Sequence, residues 1–479
     1  MTATALIFWI ACNVFAAPPK HPEKQKAPAG KPRPNIVFVQ TQQMGTGKLA
    51  QRFPKGSAIV RLNGGGEKAE PVRLTDGFFA AADPQVNFDG AKILFSAQKN
   101  QGERWQIWEM GLDGGNKRQI TKCAGDCLRG AYLPAGEIAF TAEEAGEGRT
   151  ESYVAVVKMD GSGFRRITFG PAEFELETVL RDGRIVATAP WPLIAAKDTS
   201  GARSLYTLRP DGTALESFRC EHRGDAVLTD ASELEDGSLV FVKKTGAGGE
   251  MEKIQRGAAS STAFGAARAV YEAPRQIASE ELIVSKENVA APGGAAKFDL
   301  YTLNAKTGAL GEKIFGDARL SSIQAVPVAP HDVPKHYWST LNPESLDGFF
   351  VSLDSYLAAD VGKGRITTPI AQVRVLTANP GDGADRSLGV APVESDGSFY
   401  VKVPANAPIR FVLLDVKGQT IREERGWVWT RPGEQRGCTG CHGDKAVAPE
   451  NHWPQTLRRF DTPTVLGESE HGSTTAQAK

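Results

Sequence analysis

Past its first residues, the 479-residue chain holds no apolar run long enough to cross a bilayer as a helix, which takes about 20 such residues. Net charge is missing too, since 56 basic side chains are matched by 56 acidic ones. Without an overall field the chain is poorly suited to nucleic acid or anionic lipid, both of which select for clustered positive charge. Histidine (7), cysteine (6) and methionine (5) are all scarce. Metal or haem chemistry is therefore confined to the few places where these residues cluster. The nearest approach to a phosphate-binding loop fails, because Gln42 holds its first glycine position and Leu49 its Ser/Thr position. No Ser-His-Asp order and no carboxylate pair is legible, so catalytic residues stay unassigned and no substrate is indicated.

The first residues do contain an apolar stretch, Ala5-Leu6-Ile7-Phe8-Trp9-Ile10-Ala11, followed by Val14-Phe15-Ala16-Ala17. Its length and the small residues after it suit a signal peptide over 1–17, although a basic n-region is missing. Export to the periplasm or the extracellular space is expected, with lipidation at Cys12 as a second reading. A Pro/Lys-rich linker over 18–34 follows, and 461–479 reads as a flexible tail. In an oxidising compartment Cys123 and Cys127 are candidates for a local disulfide, with metal binding as the alternative. Cys220 is left unpaired beside His222. It is read as a buried, inert thiol, a metal ligand with His222, or a neighbour of the haem discussed below.

Between linker and tail lies a repeat. Turn glycines at Gly90, Gly136, Gly183 and Gly237 each precede a short β-rich run such as Lys92-Ile93-Leu94-Phe95 or Leu239-Val240-Phe241. A second turn recurs in register at Asp113-Gly114, Asp160-Gly161 and Asp211-Gly212. Two signatures sharing a period of roughly 40–50 residues indicate propeller blades of four short strands. The segment Asp83-Pro84-Gln85-Val86-Asn87-Phe88-Asp89-Gly90 resembles the blades of TolB-like, WD40-type propellers. The expected domain covers 35–325, with about six blades at that period. Beyond a proline-rich crossing at 327–334 the period is gone. Runs such as Gln372-Val373-Arg374-Val375-Leu376 and Phe399-Tyr400-Val401-Lys402-Val403 alternate in period two. They predict a small antiparallel β-sandwich over 340–460, with Trp427 and Trp429 sharing one face of a further strand.

That second domain contains Cys438-Thr439-Gly440-Cys441-His442. Two thiols that add across porphyrin vinyl groups and an adjacent imidazole for the iron make up a c-type haem site. One covalent haem c is expected, with Cys438 and Cys441 as thioethers and His442 as proximal ligand. A structural zinc is the weaker alternative, because it needs four ligands and no second pair is evident. The other axial position decides between electron transfer and small-molecule chemistry. Its candidates are His452, His331, His336 and several methionines.

The stretch from about Leu346 to Arg459 resembles the middle domain of the hydrazine synthase alpha subunit. The resemblance is carried by Leu388-Gly389-Val390, Glu394-Ser395-Asp396-Gly397-Ser398-Phe399, Val403-Pro404-Ala405-Asn406, Trp427, Trp429, Pro432-Gly433-Glu434 and the haem motif. It implies a propeller-plus-haem architecture. In that subunit a tyrosine four residues past the motif histidine is understood to ligate the iron, with the histidine turned to a zinc ion. Here that position is Ala446, so hydrazine synthesis is not implied and His442 is kept as the iron ligand. Three functions are carried forward. The first is an exported monohaem cytochrome-like protein in electron transfer with an unknown redox partner. The others are a haem enzyme with an open iron position and a propeller-based interaction module with a structural or sensory haem.

Overall fold

The computed structural model describes residues 34–467 except 43, 46–47, 65–69, 146–149, 195–200, 219–225, 247, 259, 289–296, 359–363, 379–384 and 441–452. The signal peptide and most of the 18–34 linker lie outside the described residues. Helical structure among the described residues consists of 3-10 turns such as Leu49–Gln51 and Gln455–Arg458. No described helix is long and apolar enough to cross a membrane.

The first domain is a β-propeller. Four-stranded antiparallel units form over 80–119, 126–166, 175–217, 227–264 and 271–315. The third and fourth of these are joined by a single parallel bridge between Arg203 and Val227. A further unit combines strands within 36–73 with the strand Ser321–Pro327, which pairs antiparallel with Ile36–Thr41. The two ends of the domain thus share one blade and close the ring. Strands such as Lys92–Gln98 and Ile185–Pro190 are buried along almost their whole length, because each blade has a neighbour on both faces. Separate apolar cores fill the joints. Phe140 and Ile107 pack in one, Tyr206 and Val154 in the next, and Phe241 and Val186 in a third.

The innermost strands share an irregularity that the sequence reading did not find. Their ladders shift register around Asp83, Arg129, Glu177, Asp230 and Ala273, and on the closing strand beside Gln324. At Asp83, Arg129 and Asp230 the backbone φ is 53°, 53° and 53°. These bulges turn charged side chains toward the axis. There Arg129 meets Glu177 at 2.6 Å, while Arg52 pairs with Glu272 and lies 3.8 Å from Asp230. Burial pushes the Glu177 carboxyl up, whereas the surrounding arginines hold Asp230 well below the carboxylate range despite its burial. Asp83, Arg129 and Asp230 each stand about seven residues before a turn glycine, so the repeat did mark their positions.

A linker leaves the closing strand and crosses the propeller. Val328, His331 and Lys335 donate backbone N–H bonds to Asn35, Phe88 and Arg181 in turn. Two of the repeat's turn glycines carry it. A Cβ on Gly90 would lie 2.8 Å from Pro330 N, and one on Gly183 would lie 2.0 Å from Lys335 O.

The second domain is a sandwich of two four-stranded sheets. Gln372–Ala378 and Phe399–Pro404 alternate strictly between buried and more exposed positions. Their inward side chains meet around Phe350, Val375, Val401 and Phe411, as period-two patterning requires. One sheet departs from the expected antiparallel pattern. Gln435–Cys438 runs parallel to Asp347–Ser352, and Thr464–Val465 runs parallel to Phe399–Pro404. The second pairing also corrects the reading of 461–479 as tail. Residues through Leu466 belong to the sandwich, and Leu466 itself is buried in its core.

The tryptophans are corrected as well. They flank an isolated bridge at Val428 rather than sharing a strand face. Trp429 is fully buried in the propeller core between the blades of 126–166 and 175–217. There its ring lies edge-on to Phe174 at 5.7 Å, and its Nε1 donates to Gly212 O at 3.0 Å. The Trp427 backbone N–H bonds to Leu193 O at 2.9 Å.

Candidate functional site

The described half of the Cys-x-x-Cys-His motif sits at the end of an edge strand stapled on both sides. Within the sandwich, Cys438 is paired with Ser352, and its carbonyl accepts the Leu353 N–H at 2.9 Å. Toward the propeller, Arg436 donates to Trp429 O and to Leu215 O, both at 3.0 Å. Cys438 is half-buried against the sandwich core, and burial pushes its thiol up from the ordinary range. It is the free cysteine among the described residues. Cys123 and Cys127 form a disulfide, with Cys127 fully buried and Gln106 bonding the Cys123 backbone from both sides.

Two turns build the rim next to Cys438. In the first, Asp354 accepts the Tyr356 N–H at 2.9 Å and the Arg365 guanidinium at 2.7 Å. Gly440 lies flat on this turn, where a Cβ would come within 2.6 Å of Leu357 Cβ and 3.0 Å of Asp354 O. The glycine between the two motif cysteines is therefore fixed by close approach. The second turn, Glu394 to Ser398, is joined to the first by Ser355 N–H donating to Gly397 O at 2.8 Å. It also holds the chain after the motif. Gln455 N–H bonds to Asp396 at 2.8 Å, Thr456 N–H to Ser398 Oγ at 3.0 Å, and Arg459 to Glu394 at 2.9 Å. The described chain on either side of 441–452 is thus held at one rim of the sandwich. Trp453 and Phe460, on the rejoining chain, expose their apolar rings.

Cys441, His442 and His452 lie outside the described residues, as do Cys220, His222 and Ala446. His331 stacks edge-on to Phe88 on the propeller, and His336 edge-on to Trp338 in the linker. The methionines offered as axial ligands lie on the propeller. Met110 and Met251 are buried in the joints between blades, and Met44 and Met159 pack against the same kind of core. Among the described residues, no group of three or more His, Cys, Asp or Glu is placed to hold a metal ion. The sequence reading did not see the role of Asp396 and Ser398 in gripping the returning chain. Their only signal was membership of the resemblance segment.

A propeller docked through a buried tryptophan onto a β-sandwich, with a free cysteine at the sandwich rim, defines the class of architecture. Comparison with known proteins makes it more specific. Residues 357–443 match the family model of the hydrazine synthase alpha subunit middle domain. Hydrazine synthase subunit alpha of Kuenenia stuttgartiensis is 35% identical over 122 residues, which is 25% of this chain and 14% of that subunit. The chain therefore aligns with only a small part of that relative's length. A solved structure of Kuenenia stuttgartiensis hydrazine synthase superposes with a TM-score of 0.78 at 19% identity, over 89% of this chain and 72% of that one. The same propeller-plus-sandwich fold is present in both. TolB from Acinetobacter baumannii is similar over 61% of this chain and 66% of its own, at 13% identity and a TM-score of 0.42.

Proposed function

We propose that the chain is an exported monohaem c-type cytochrome-like protein that transfers electrons, with the propeller as scaffold and docking surface. Cys438 and Cys441 would hold the haem as thioethers, and His442 would be its proximal ligand. A covalent haem supplies a one-electron iron couple whose potential is tuned by axial ligation and burial.

The observation that carries the reading is the state of Cys438. It is a free thiol on a doubly stapled strand, while the disulfide has consumed Cys123 and Cys127. The described residues around it suit a large apolar ring. Gly440 lets the backbone lie flat on the rim, and Trp453 and Phe460, on the chain held by the neighbouring turn, expose apolar rings. Arg436 and Trp429 tie this strand to the propeller, so a rigid distance from haem to propeller would result.

Expression alongside c-type maturation machinery tests the proposal. The protein should keep one haem through denaturing electrophoresis, and a Cys438→Ser/Cys441→Ser variant should keep none. A wild-type protein without covalent haem would sink the reading. Reduced spectra unmoved by carbon monoxide are expected of an electron carrier. A shifted spectrum would replace electron transfer with chemistry at an open iron position.

A further inference from the structure

A cleft of about 460 Å³ lies where propeller, linker and sandwich meet. Its volume falls within the roughly 300–1,000 Å³ of small-molecule sites, and domain interfaces are favoured places for them. The walls are largely apolar, with Leu133, Pro134 and Pro210 from the propeller and Leu341 from the linker. Its polar groups are unevenly charged. Glu137 is engaged by Arg165 through two bonds of 2.8 Å, and Asp211 accepts from Thr213 at 2.7 Å. Lys158 and Lys335 also line the cleft, and neither has an ion-pair partner among the described residues.

Arg431 is the unusual member. It is 8% exposed, yet among the described residues no carboxylate forms a close ion pair with its guanidinium, and Asp211 and Glu434 act on it from farther away. Its Nε donates to Asp211 O at 2.8 Å, its Nη1 to Asn406 Oδ1 at 2.5 Å, and the group lies 4.9 Å over the Phe169 ring. Among the described residues, Nη2 has no hydrogen-bond partner. Burial draws its pKa down, and the Asp211 and Glu434 carboxylates nearby offset that only in part, so some of the desolvation cost of the guanidinium stays uncompensated. Nη2 is not among the buried unsatisfied atoms and so reaches solvent, where an anion in the cleft can take the place of water on it.

We propose that this cleft binds a small organic acid, its apolar body against Leu133, Leu341 and the proline walls and its anionic group on Arg431 with Lys158 and Lys335. Because Arg431 bonds both domains, the ligand also tightens their docking.

Isothermal titration with 2-naphthoate tests this, with 1-naphthylmethylamine as the cation of similar shape. The probing variant is Lys158→Glu/Lys335→Glu, which changes two exposed side chains and leaves Arg431 and the docking contacts in place. One-to-one binding of naphthoate is expected, weakened about tenfold or more in the double variant, with no binding of the amine. The coupled thermal transition of the parent should also shift upward with naphthoate. Absence of naphthoate binding at millimolar concentration overturns the proposal. So does equal affinity in wild type and double variant, or equal binding of the amine.

Discussion

Replacing Trp429 with alanine should undock the sandwich from the propeller. Trp429 is fully buried in a core otherwise made of propeller residues. Truncating a buried tryptophan costs about 3–5 kcal/mol through lost transfer energy and residual cavity. The indole N–H bond to Gly212 O adds about 1 kcal/mol, and the edge-on contacts with Phe169 and Phe174 about as much again. These contributions overlap, so a net loss of about 4 kcal/mol is expected, close to a thousandfold in the docking equilibrium. What remains at the interface is mainly backbone-directed: Arg431 to Asp211 O, Arg436 to Leu215 O and Trp427 N–H to Leu193 O. Calorimetry should show one coupled transition in the parent and two separated ones in Trp429→Ala. Limited proteolysis should open the linker near Trp338 and Leu346, which already expose 84% and 79% of their surface. Trp429→Phe, which keeps a ring and loses the N–H, should cost only about 1–2 kcal/mol. A Trp429→Ala protein with a single transition and a protease-resistant linker would refute the reasoning.

Gly183→Ala and Gly237→Ala form a matched pair, with φ values of 86° and 76°. Both should lose about 1 kcal/mol to backbone strain. Only Gly183→Ala places a Cβ against Lys335 O, so urea titration should find it less stable by at least a further ~1 kcal/mol. Glu143 is raised to about 7 by burial and by the nearby Glu175 and Asp126 carboxylates. The folded state therefore binds a proton that the unfolded chain releases near 4.5. This contribution is complete below the unfolded value and is lost as pH climbs through about 7, by at most about 3 kcal/mol. Glu143→Gln should accordingly gain in urea midpoint relative to the parent between these two values, and a constant difference across that range would contradict the assignment. Gly440→Ala, whose Cβ would meet Leu357, should lower the yield of covalent haem without unfolding the sandwich, as read by haem stain against circular dichroism.

The division between sequence and structure follows the range of the interactions. Blade strands, their turn glycines and the alternating sandwich strands are local: a period of 40–50 residues and a period of two are legible because each element's own residues carry them. Cys438-Thr439-Gly440-Cys441-His442 is legible for the same reason, since its chemistry lies within five neighbouring residues. Long-range pairing was not. Nothing local announces that Ser321–Pro327 returns to Ile36–Thr41, or that Thr464–Val465 joins Phe399–Pro404. Trp429 reads as one half of an aromatic pair until the fold places it in another domain's core. The repeat marks the positions of Asp83, Arg129 and Asp230, but only the bulges bring them and Glu177 together at one axis. By itself the sequence determined a repeating β protein with one Cys-x-x-Cys-His motif. The tertiary structure decided how the ring closes, what the motif's strand is fastened to, and where buried charges meet, because those depend on contacts between residues as distant in sequence as Ile36 and Pro327.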